Sequence, residues 1–440
     1  MKRSSVIGLL VLILVVSLSV VACGTSSGTT TTAAATGSTA TTASGSTASS
    51  AAVAEGGVVK LGCTLPLSVS VGPAIKSMYD LAVQAVNDAG GLVVQGKSYK
   101  LEFICYDDQN STEGGKAAGE RLVNQDKVDY LVGCMAGGGV PATQSVSEPA
   151  KKLLITSAIN DDLLGPANSY TYRGHCYTST YVKWDFCLQK YPNVKKVVHI
   201  GADSALGKME GGSLDTLAKV YGLEVLKHFY VADGTTDFSS VAASAIALKP
   251  DIIDVDGFSG QTLLPGPLYK ALYQAGWTGP KIMSQLNEDD IIAAGGPEPL
   301  EGVLFVYQDM TAVPDPPAIS VELRKAWEAS GKKWNEEMGP FASGWIDPFY
   351  MFLAAVQKAD SLDTEKISAA LTAGLEYDGA VGHYIMVKRP DLGTTKYVDS
   401  LGPTSIGIVR SGKMELLGTV TAEQGLATLE KMLGHPGEWK

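Results

Sequence analysis

Short apolar runs alternate along the chain with longer segments whose apolar residues recur every three to four positions. Val58–Thr64, Tyr130–Cys134 and Ile252–Asp256 have the length and the β-branched or aromatic content typical of buried strands. Pro73–Ala89 has the helical period instead. Its apolar face is formed by Ile75, Met78, Ala82, Val86 and Ala89. The pattern therefore predicts that strands and helices follow one another in turn.

The same alternation continues as far as residue 283. Further strands are predicted at Lys100–Asp107, Leu153–Thr156, Val197–Ile200, Glu224–Tyr230 and Lys281–Met283. Further helices are predicted at Asn110–Gln125, Val140–Lys151, Ala205–Tyr221, Ser239–Leu248 and Leu268–Ala275. Alternating strands and helices form parallel sheets covered by helices on both faces. We expect an α/β fold with two doubly wound lobes, and a ligand at the carboxyl ends of the strands.

Composition narrows the function classes. The chain of 440 residues carries 46 acidic and 35 basic residues, for a net charge of −11. This balance excludes a generally basic surface of the kind that binds nucleic acid. The six cysteines are too few for a disulfide scaffold and show no paired spacing that would hold zinc. Neither a nucleic-acid partner nor a cofactor is implied.

The first 22 residues are typical of an export signal. Lys2 and Arg3 precede the apolar run Val6–Val21, which is short for a membrane-spanning helix. The run ends in Val-Ala-Cys-Gly, and this ending resembles the lipobox of bacterial lipoproteins. The resemblance implies cleavage before Cys23 and acylation of that cysteine, which would provide a stable anchor. The alternatives are a simple signal peptide, or a signal anchor, with an incidental cysteine.

Residues 23–55 form the next segment. After Cys23 it consists almost entirely of Ser, Thr, Ala and Gly, so it cannot bury enough apolar surface to fold. We interpret it as a flexible tether between a lipid anchor and a folded domain. The predicted location is the outer face of the cell membrane, or the periplasmic side of the envelope.

Several motifs over most of residues 56–440 resemble one family. They include Ala85–Gly91, Tyr106–Asn110, Leu131–Gly139, Asp237–Ser239 and Glu301–Val303. In this order they resemble the periplasmic-binding-protein-like I family, in its branch of leucine/isoleucine/valine-binding receptors of ABC importers. The resemblance implies two lobes joined by three crossings of the chain.

The crossings are expected near Arg173–Thr178, Val306–Met310 and His383–Arg389. Lobe 1 would hold residues 56–175 and 308–384, and lobe 2 would hold residues 176–307 and 385–440.

The implied function is capture of a small solute by closure of the two lobes, followed by delivery to a membrane permease. A second reading is a sensory receptor of the same fold that signals to a membrane protein. A lipid-anchored α/β enzyme is a third. The five histidines form no His-Glu-x-x-His motif and no evident nucleophile–base pair, so we do not expect an enzyme.

The resemblance also assigns ligand-binding residues. They are Ala136, Gly137, Gly138, Ala158, Asn160, Leu206, Phe258, Gln285 and Val71. The glycines leave backbone N–H groups open to a ligand carboxylate, unless the loop is only a tight turn. The alternative for Asn160 is a local turn or a helix cap. Leu206 and Phe258 fit the hydrophobic core nearly as well as a ligand site.

The position of Gln285 changes the expected ligand, because related receptors have an acidic partner for an α-ammonium there. Gln285 is neutral, and an ammonium buried without a partner would cost several kcal/mol. Carboxylic acids, aromatic acids and amides therefore become as plausible as branched-chain or other amino acids. Asp161, Asp162 or Glu288 could supply the missing negative charge.

Two disulfides are considered in the exported compartment. Related receptors have one near Cys105 and Cys134, and Cys176 and Cys187 form a second candidate pair. The alternative for both pairs is buried free thiols. If Cys23 is acylated, five cysteines remain, so at least one is unpaired or intermolecular.

Overall fold

The computed structural model describes residues 54–69, 71–135, 137–175, 179–232, 234–258, 264–285 and 288–440. For residues 179, 205, 284–285 and 288–290 it describes the backbone alone. The predicted signal peptide, Cys23, most of the tether, Ala136 and Cys176 lie outside the described residues. The first strand begins at Ala54, so the last two residues assigned to the tether belong to the folded domain.

The first sheet has six strands. They are β1 (Ala54–Leu65), β2 (Leu92–Val94), β3 (Lys97–Asp107), β4 (Tyr130–Cys134), β5 (Leu154–Thr156) and β6 (Thr171–Arg173). Their order is β2-β3-β1-β4-β5-β6, and only β2 pairs antiparallel. The helices between them are α1 (Val71–Asp88), α2 (Thr112–Glu120), continued by a π-helical turn at Arg121–Gln125, and α3 (Val140–Ser147). A 3₁₀ turn, Asp161–Leu164, follows β5.

A second run of parallel strands and helices follows. Its strands are β7 (Lys196–Ala202), β8 (Glu224–Val231), β9 (Ile252–Asp256), β10 (Lys281–Gln285) and β11 (Val303–Val306). Its helices are α4 (Ser179–Lys190), α5 (Ala205–Tyr221), α6 (Ser239–Ala247), α7 (Pro265–Gln274), α8 (Glu288–Gly295) and α9 (Pro297–Leu300). Strand–helix alternation thus produces two parallel sheets, as the sequence predicts.

The last third of the chain adds helices first and then antiparallel strands. The helices are α10 (Ala318–Ala329), α11 (Gly339–Gly344), α12 (Asp347–Ala359) and α13 (Thr364–Thr372). The strands are β12 (Glu376–Asp378), β13 (His383–Arg389), β14 (Thr394–Leu401), β15 (Thr404–Arg410) and β16 (Lys413–Val420). A 3₁₀ turn, Pro390–Leu392, joins β13 to β14, and α14 (Ala422–Leu433) comes last. The second sheet has the order β16-β15-β11-β10-β9-β7-β8, while β12, β13 and β14 form a small sheet of their own.

The small sheet corrects one predicted boundary. Ile385, Val387 and Leu401 are fully or almost fully buried in the core of the first lobe. Residues 385–401 therefore belong to lobe 1 rather than lobe 2, because β13 pairs antiparallel with β14 before the chain leaves this lobe. The third crossing lies at Gly402 and Pro403, between β14 and β15, and not at His383–Arg389.

The C-terminal tail returns to the first lobe. Helix α14 starts with a capping box between Thr421 and Gln424, which satisfies the first N–H groups of the helix. Beyond it, Trp439 is fully buried in the first core, and its carbonyl accepts a hydrogen bond from the backbone N–H of Lys388 at 2.8 Å. The described chain therefore begins and ends in the same lobe.

The described cysteines follow the free-thiol alternative. Cys63, Cys105, Cys134 and Cys187 are all free thiols. Strand β1 separates β3 from β4, and Cys63 lies directly opposite Cys105. Two strand spacings separate the Cα atoms of Cys105 and Cys134 by at least about 9 Å, which is too far for a disulfide. The partner proposed for Cys187 lies outside the described residues. Among the helices that the structure describes, none is long and apolar enough to cross a membrane.

Candidate ligand-binding site

The loop after β4 is held closely by its neighbours. A Cβ atom on Gly138 would lie 2.7 Å from the backbone oxygen of Asn110, and one on Gly139 would lie 2.9 Å from the carboxyl group of Asp108. A Cβ atom on Gly115 of α2 would in turn meet the backbone oxygen of Gly139 at 2.2 Å. These contacts require glycine, because any side chain would displace the backbone. They fix the position of this loop at the carboxyl end of β4, where Gly137 is exposed and Gly138 is partly exposed.

Asp108 lies behind this loop as a fully buried carboxyl group. Its Oδ1 accepts a hydrogen bond from the N–H of Asn110 at 2.9 Å, while Oδ2 has no partner among the described residues. Burial raises the pKa of Asp108 to about 6. The folded protein therefore favours the protonated acid more strongly than the unfolded chain does.

This shift predicts a pH-dependent effect of Asp108→Asn. Because the folded pKa is raised, the favourable contribution of the protonated acid is present below about pH 4 and is lost as the pH rises through 6. The stability of the variant relative to the native protein should therefore increase by about 2 kcal/mol between pH 4 and pH 7. Urea unfolding across this range measures the difference. Asp80→Asn, at the surface of α1, controls for the lost charge, and a pH-independent difference would contradict the expectation.

Asn160 and Gly137 are brought together as the sequence predicts. The side-chain Nδ2 of Asn160 donates a hydrogen bond to the carbonyl of Gly137 at 3.3 Å. Its Oδ1 is buried and has no partner in the described part of the chain. Since a buried polar atom is costly to leave unpaired, this amide oxygen is an acceptor suited to a donor on a ligand.

Other predicted residues of lobe 1 lie in the core. Ala158 is fully buried, and its N–H donates to Thr156 Oγ1 at 2.9 Å, so this N–H is already used. Val71 is the first residue of α1 and is also buried in the core. Neither side chain presents a polar group, and their predicted ligand contacts stay predictions.

In lobe 2, Leu206 and Phe258 flank the carboxyl ends of β7 and β9. Leu206 is half-buried in the first turn of α5, where Ser204 caps the helix through the N–H of Gly207 at 3.1 Å. Phe258 belongs to the core of this lobe, which is the alternative the sequence left open. Gln285 ends β10, and its side chain lies outside the described atoms, as does that of Glu288.

A buried ionic cluster lies beneath these residues. The Nζ of Lys183 is 2.7 Å from Asp256 Oδ2, and Asp256 Oδ1 accepts the N–H of Gly257 at 2.8 Å. Glu210 accepts a hydrogen bond from Thr180 Oγ1 at 3.2 Å. Burial, and then the negative charge of Asp256, raise the pKa of Glu210 well above its ordinary value. The cluster joins α4, α5 and β9 directly below the lobe 2 half of the candidate site.

Asp161 is the second acidic residue whose role the structure defines. It contacts Arg173 Nη1 at 3.2 Å and Arg389 Nη1 at 2.8 Å. Although burial raises its pKa, the two guanidinium groups outweigh this effect and lower the pKa to about 2. Asp161 is therefore committed to an arginine network, so it is a poor partner for a ligand ammonium. Asp162 is exposed.

Two aromatic residues near the first crossing were missed by sequence reasoning. His175 stacks on Trp345 with ring centroids 4.5 Å apart, and the backbone oxygen of Trp345 accepts a hydrogen bond from Ser157 Oγ at 3.4 Å. Burial, and then the charge of Arg173, lower the pKa of His175 to about 4, so the ring is neutral. Trp345 Nε1 and His175 Nδ1 have no partner among the described residues. No local motif marks this pair, because its members are far apart in sequence.

The described residues contain no group of three or more His, Cys, Asp or Glu side chains that could hold a metal ion. The site geometry instead combines open backbone, one unpaired amide and aromatic rings. A comparison with known families matches residues 59–396 to the family described as periplasmic binding protein. The chain belongs to the periplasmic binding protein family. The predicted family and the α/β fold with two lobes are thereby confirmed.

Named relatives of this periplasmic binding protein are themselves solute-binding proteins. An amino acid binding protein of Pseudomonas aeruginosa is 24% identical over 252 residues, which is 55% of this chain and 64% of the relative. The match thus spans slightly less than two thirds of that relative's length. The class is the one the sequence predicts, and it is not an enzyme class.

Solved structures share the fold at low sequence identity. The branched-chain amino acid transporter substrate-binding protein LivJ from Streptococcus pneumoniae, in complex with isoleucine, has a TM-score of 0.65 and 20% identity, covering 82% of this chain and 98% of its own. A solute-binding protein of an ABC transporter from R. palustris, in complex with benzoate, has a TM-score of 0.64 and 20% identity, covering 83% and 96%. These similarities concern the fold of the binding protein.

Proposed function

We propose that this protein is the exported receptor of an ABC importer, anchored by lipid at Cys23, which captures a small solute by closure of its two lobes. The solute is an amino acid or a related carboxylate or amide, and the closed form delivers it to the membrane permease subunits. The lipid anchor would hold the receptor near the permease and raise its effective concentration there. The lipobox-like ending at Cys23 and the Ser/Thr/Ala/Gly-rich segment after it support this location.

The observation that carries the proposal is the loop after β4 together with Asn160. The backbone is exposed at Gly137 and partly exposed at Gly138, at the carboxyl end of β4, where ligands bind in sheets of this kind. The unpaired Oδ1 of Asn160 provides an acceptor beside it. A ligand with a carboxylate or carbonyl at the glycines and a donor near Asn160 fits both features.

The charges near the site favour a ligand without an ammonium group. Gln285 is neutral, and Asp161 is already paired with Arg173 and Arg389. The relatives with bound isoleucine and benzoate show that this fold accommodates both classes of ligand. We therefore place carboxylic and aromatic acids ahead of amino acids as the solute.

A panel of matched ligands tests whether acids bind more tightly than amino acids. The chain from Gly24 onward would be titrated calorimetrically with L-leucine, 4-methylpentanoate, benzoate and benzamide. The first two differ in the amino group, and the last two differ in the carboxylate. We expect 4-methylpentanoate or benzoate to bind more tightly than L-leucine, and a ligand at 100 times its dissociation constant should stabilise the protein by about 2.7 kcal/mol.

A clear preference for L-leucine over 4-methylpentanoate would contradict the argument from Gln285 and Asp161. Failure of every small acid, amide and amino acid to bind would contradict the proposed function itself.

A further inference from the structure

A second cavity lies at the opposite end of the lobe 2 sheet from the candidate site. It has a volume of about 540 Å³, which is within the range of small-molecule sites. It is formed where β10 begins, next to the end of α7, helix α9 and the turn between β15 and β16. Its lining includes Tyr273, Trp277, Lys281, Glu298, Glu301 and Ser411.

Lys281 brings a positive charge to the floor of this cavity. The side chain is only 6% exposed, and its Nζ donates a hydrogen bond to the carbonyl of Pro299 at 2.8 Å. None of the ion pairs among the described residues involves Lys281. Glu301 acts on this ammonium from beyond ion-pair distance and offsets the cost of burial only in part, so a bound anion would stabilise it further.

Trp277 adds a second donor. It is 9% exposed, and its indole Nε1 is buried without a hydrogen-bond partner in the described part of the chain. A buried indole N–H ordinarily finds an acceptor. Lys281 and Trp277 line the same cavity, so a single carboxylate could accept from both.

The rim of the cavity has the opposite charge. Glu298 and Glu301 are exposed, and Glu301 Oε2 accepts a hydrogen bond from the backbone N–H of Ser411 at 2.7 Å. Two carboxylates at the entrance repel a simple anion, but they attract the positively charged end of a zwitterion. The ring of Tyr273, which is 45% exposed, supplies an apolar wall.

We propose that this cavity is a second binding site for a small zwitterion of amino-acid size. The carboxylate of the zwitterion binds Lys281 and Trp277, and its ammonium faces Glu298 and Glu301. The site is distinct from the one between the lobes and does not depend on the function proposed above.

Proton uptake gives an independent readout of this arrangement. Burial lowers the pKa of Lys281 to about 8 although the negative charge of Glu301 opposes this shift, so the ammonium is partly deprotonated at pH 8 in the empty site. A carboxylate bound beside it favours the charged form, so binding should take up protons from the buffer. Calorimetry at pH 8 in buffers of different ionisation enthalpy measures this uptake.

The test follows the indole N–H signal of Trp277 by NMR in ¹⁵N-labelled protein, assigned with Trp277→Phe. Titration with L-leucine should move this signal until it saturates. Its deaminated counterpart, 4-methylpentanoate, should bind this site about tenfold more weakly, because it cannot contact the glutamates. Lys281→Met should abolish both the signal change and the proton uptake at this site. Lys270→Met, an exposed lysine on α7, is the matched control and should change neither.

The proposal is overturned if L-leucine leaves the Trp277 signal unmoved up to its solubility. It is also overturned if the response persists in Lys281→Met, or if 4-methylpentanoate binds this site as tightly as L-leucine. Binding between the lobes is followed separately in the Lys281→Met protein with the ligand panel. A loss of that binding would count against the proposed function and not against this cavity.

Discussion

Replacing Asp399 with alanine is expected to destabilise the protein by about 3–5 kcal/mol, because it removes the buried carboxylate that two buried guanidinium groups share and leaves them only Asp161 and Asp391. Asp399 forms a bidentate pair with Arg173, with Nε to Oδ1 at 2.8 Å and a second bond from Nη2 to Oδ2. Its Oδ2 also accepts from Arg389 Nη1 at 3.0 Å. Both arginine side chains are 3% exposed. Little solvent is therefore available to replace the lost carboxylate.

Urea unfolding at pH 7 measures this loss of stability, and two further variants identify its cause. Asp399→Asn keeps the shape and removes the charge, so it separates electrostatic loss from a cavity. Asp80→Ala breaks an exposed pair with Lys76 at 2.8 Å, and such pairs contribute roughly 0–1 kcal/mol. If Asp399→Ala costs no more than Asp80→Ala, the network is not a major source of stability.

Replacing Gly138 with alanine is expected to reduce ligand affinity at least about tenfold, which corresponds to 1.4 kcal/mol. The new Cβ atom would lie 2.7 Å from the backbone oxygen of Asn110, and a backbone atom cannot rotate away as a side chain can. The loop must shift, and its N–H groups would shift with it. The measurement is calorimetric titration with the tightest ligand of the panel.

Two other glycines provide controls for this variant. A Cβ atom on Gly137 would meet Asn160 Oδ1 at an ordinary 3.4 Å, so Gly137→Ala should leave the loop in place and affect binding only through the acceptor that it touches. Gly212 lies inside α5 and has nothing within 4 Å, so Gly212→Ala should stabilise the helix by about 0.5–1 kcal/mol and leave binding unchanged. Unchanged affinity in Gly138→Ala would show that this loop does not bind the ligand.

The local pattern of apolar residues was sufficient to predict much of the fold. The strands predicted at Tyr130–Cys134 and Ile252–Asp256 have those bounds in the structure, because a buried strand of a parallel sheet is an uninterrupted apolar run. The antiparallel strands β13–β16 were not predicted. Each of these strands pairs with a strand that lies elsewhere in the sequence, so its own residues do not reveal the pairing. For the same reason the third crossing was predicted at His383–Arg389, whereas it lies at Gly402 and Pro403.

The candidate site was predicted less completely, for a related reason. Gly137 and Asn160 follow neighbouring strands, so the order of strands is sufficient to bring them together. The ion pair between Asp161 and Arg389 could not be predicted from the local sequence, because the two residues are 228 positions apart. Of the two alternatives left open for Cys105 and Cys134, the structure has the free thiols, because β1 lies between β3 and β4.

The return of the C-terminal tail to the first lobe determines how the folded chain carries mechanical load. Strand β1 and Trp439 both lie in the core of lobe 1. Tension applied between the two ends of the domain is therefore transmitted within that lobe and does not pull directly on the hinge. Lobe 2 is connected to lobe 1 by the chain crossings, which lie between the two ends of the domain. If the lobes close as proposed, an attachment at either end would leave that motion mechanically uncoupled from the force on the attachment.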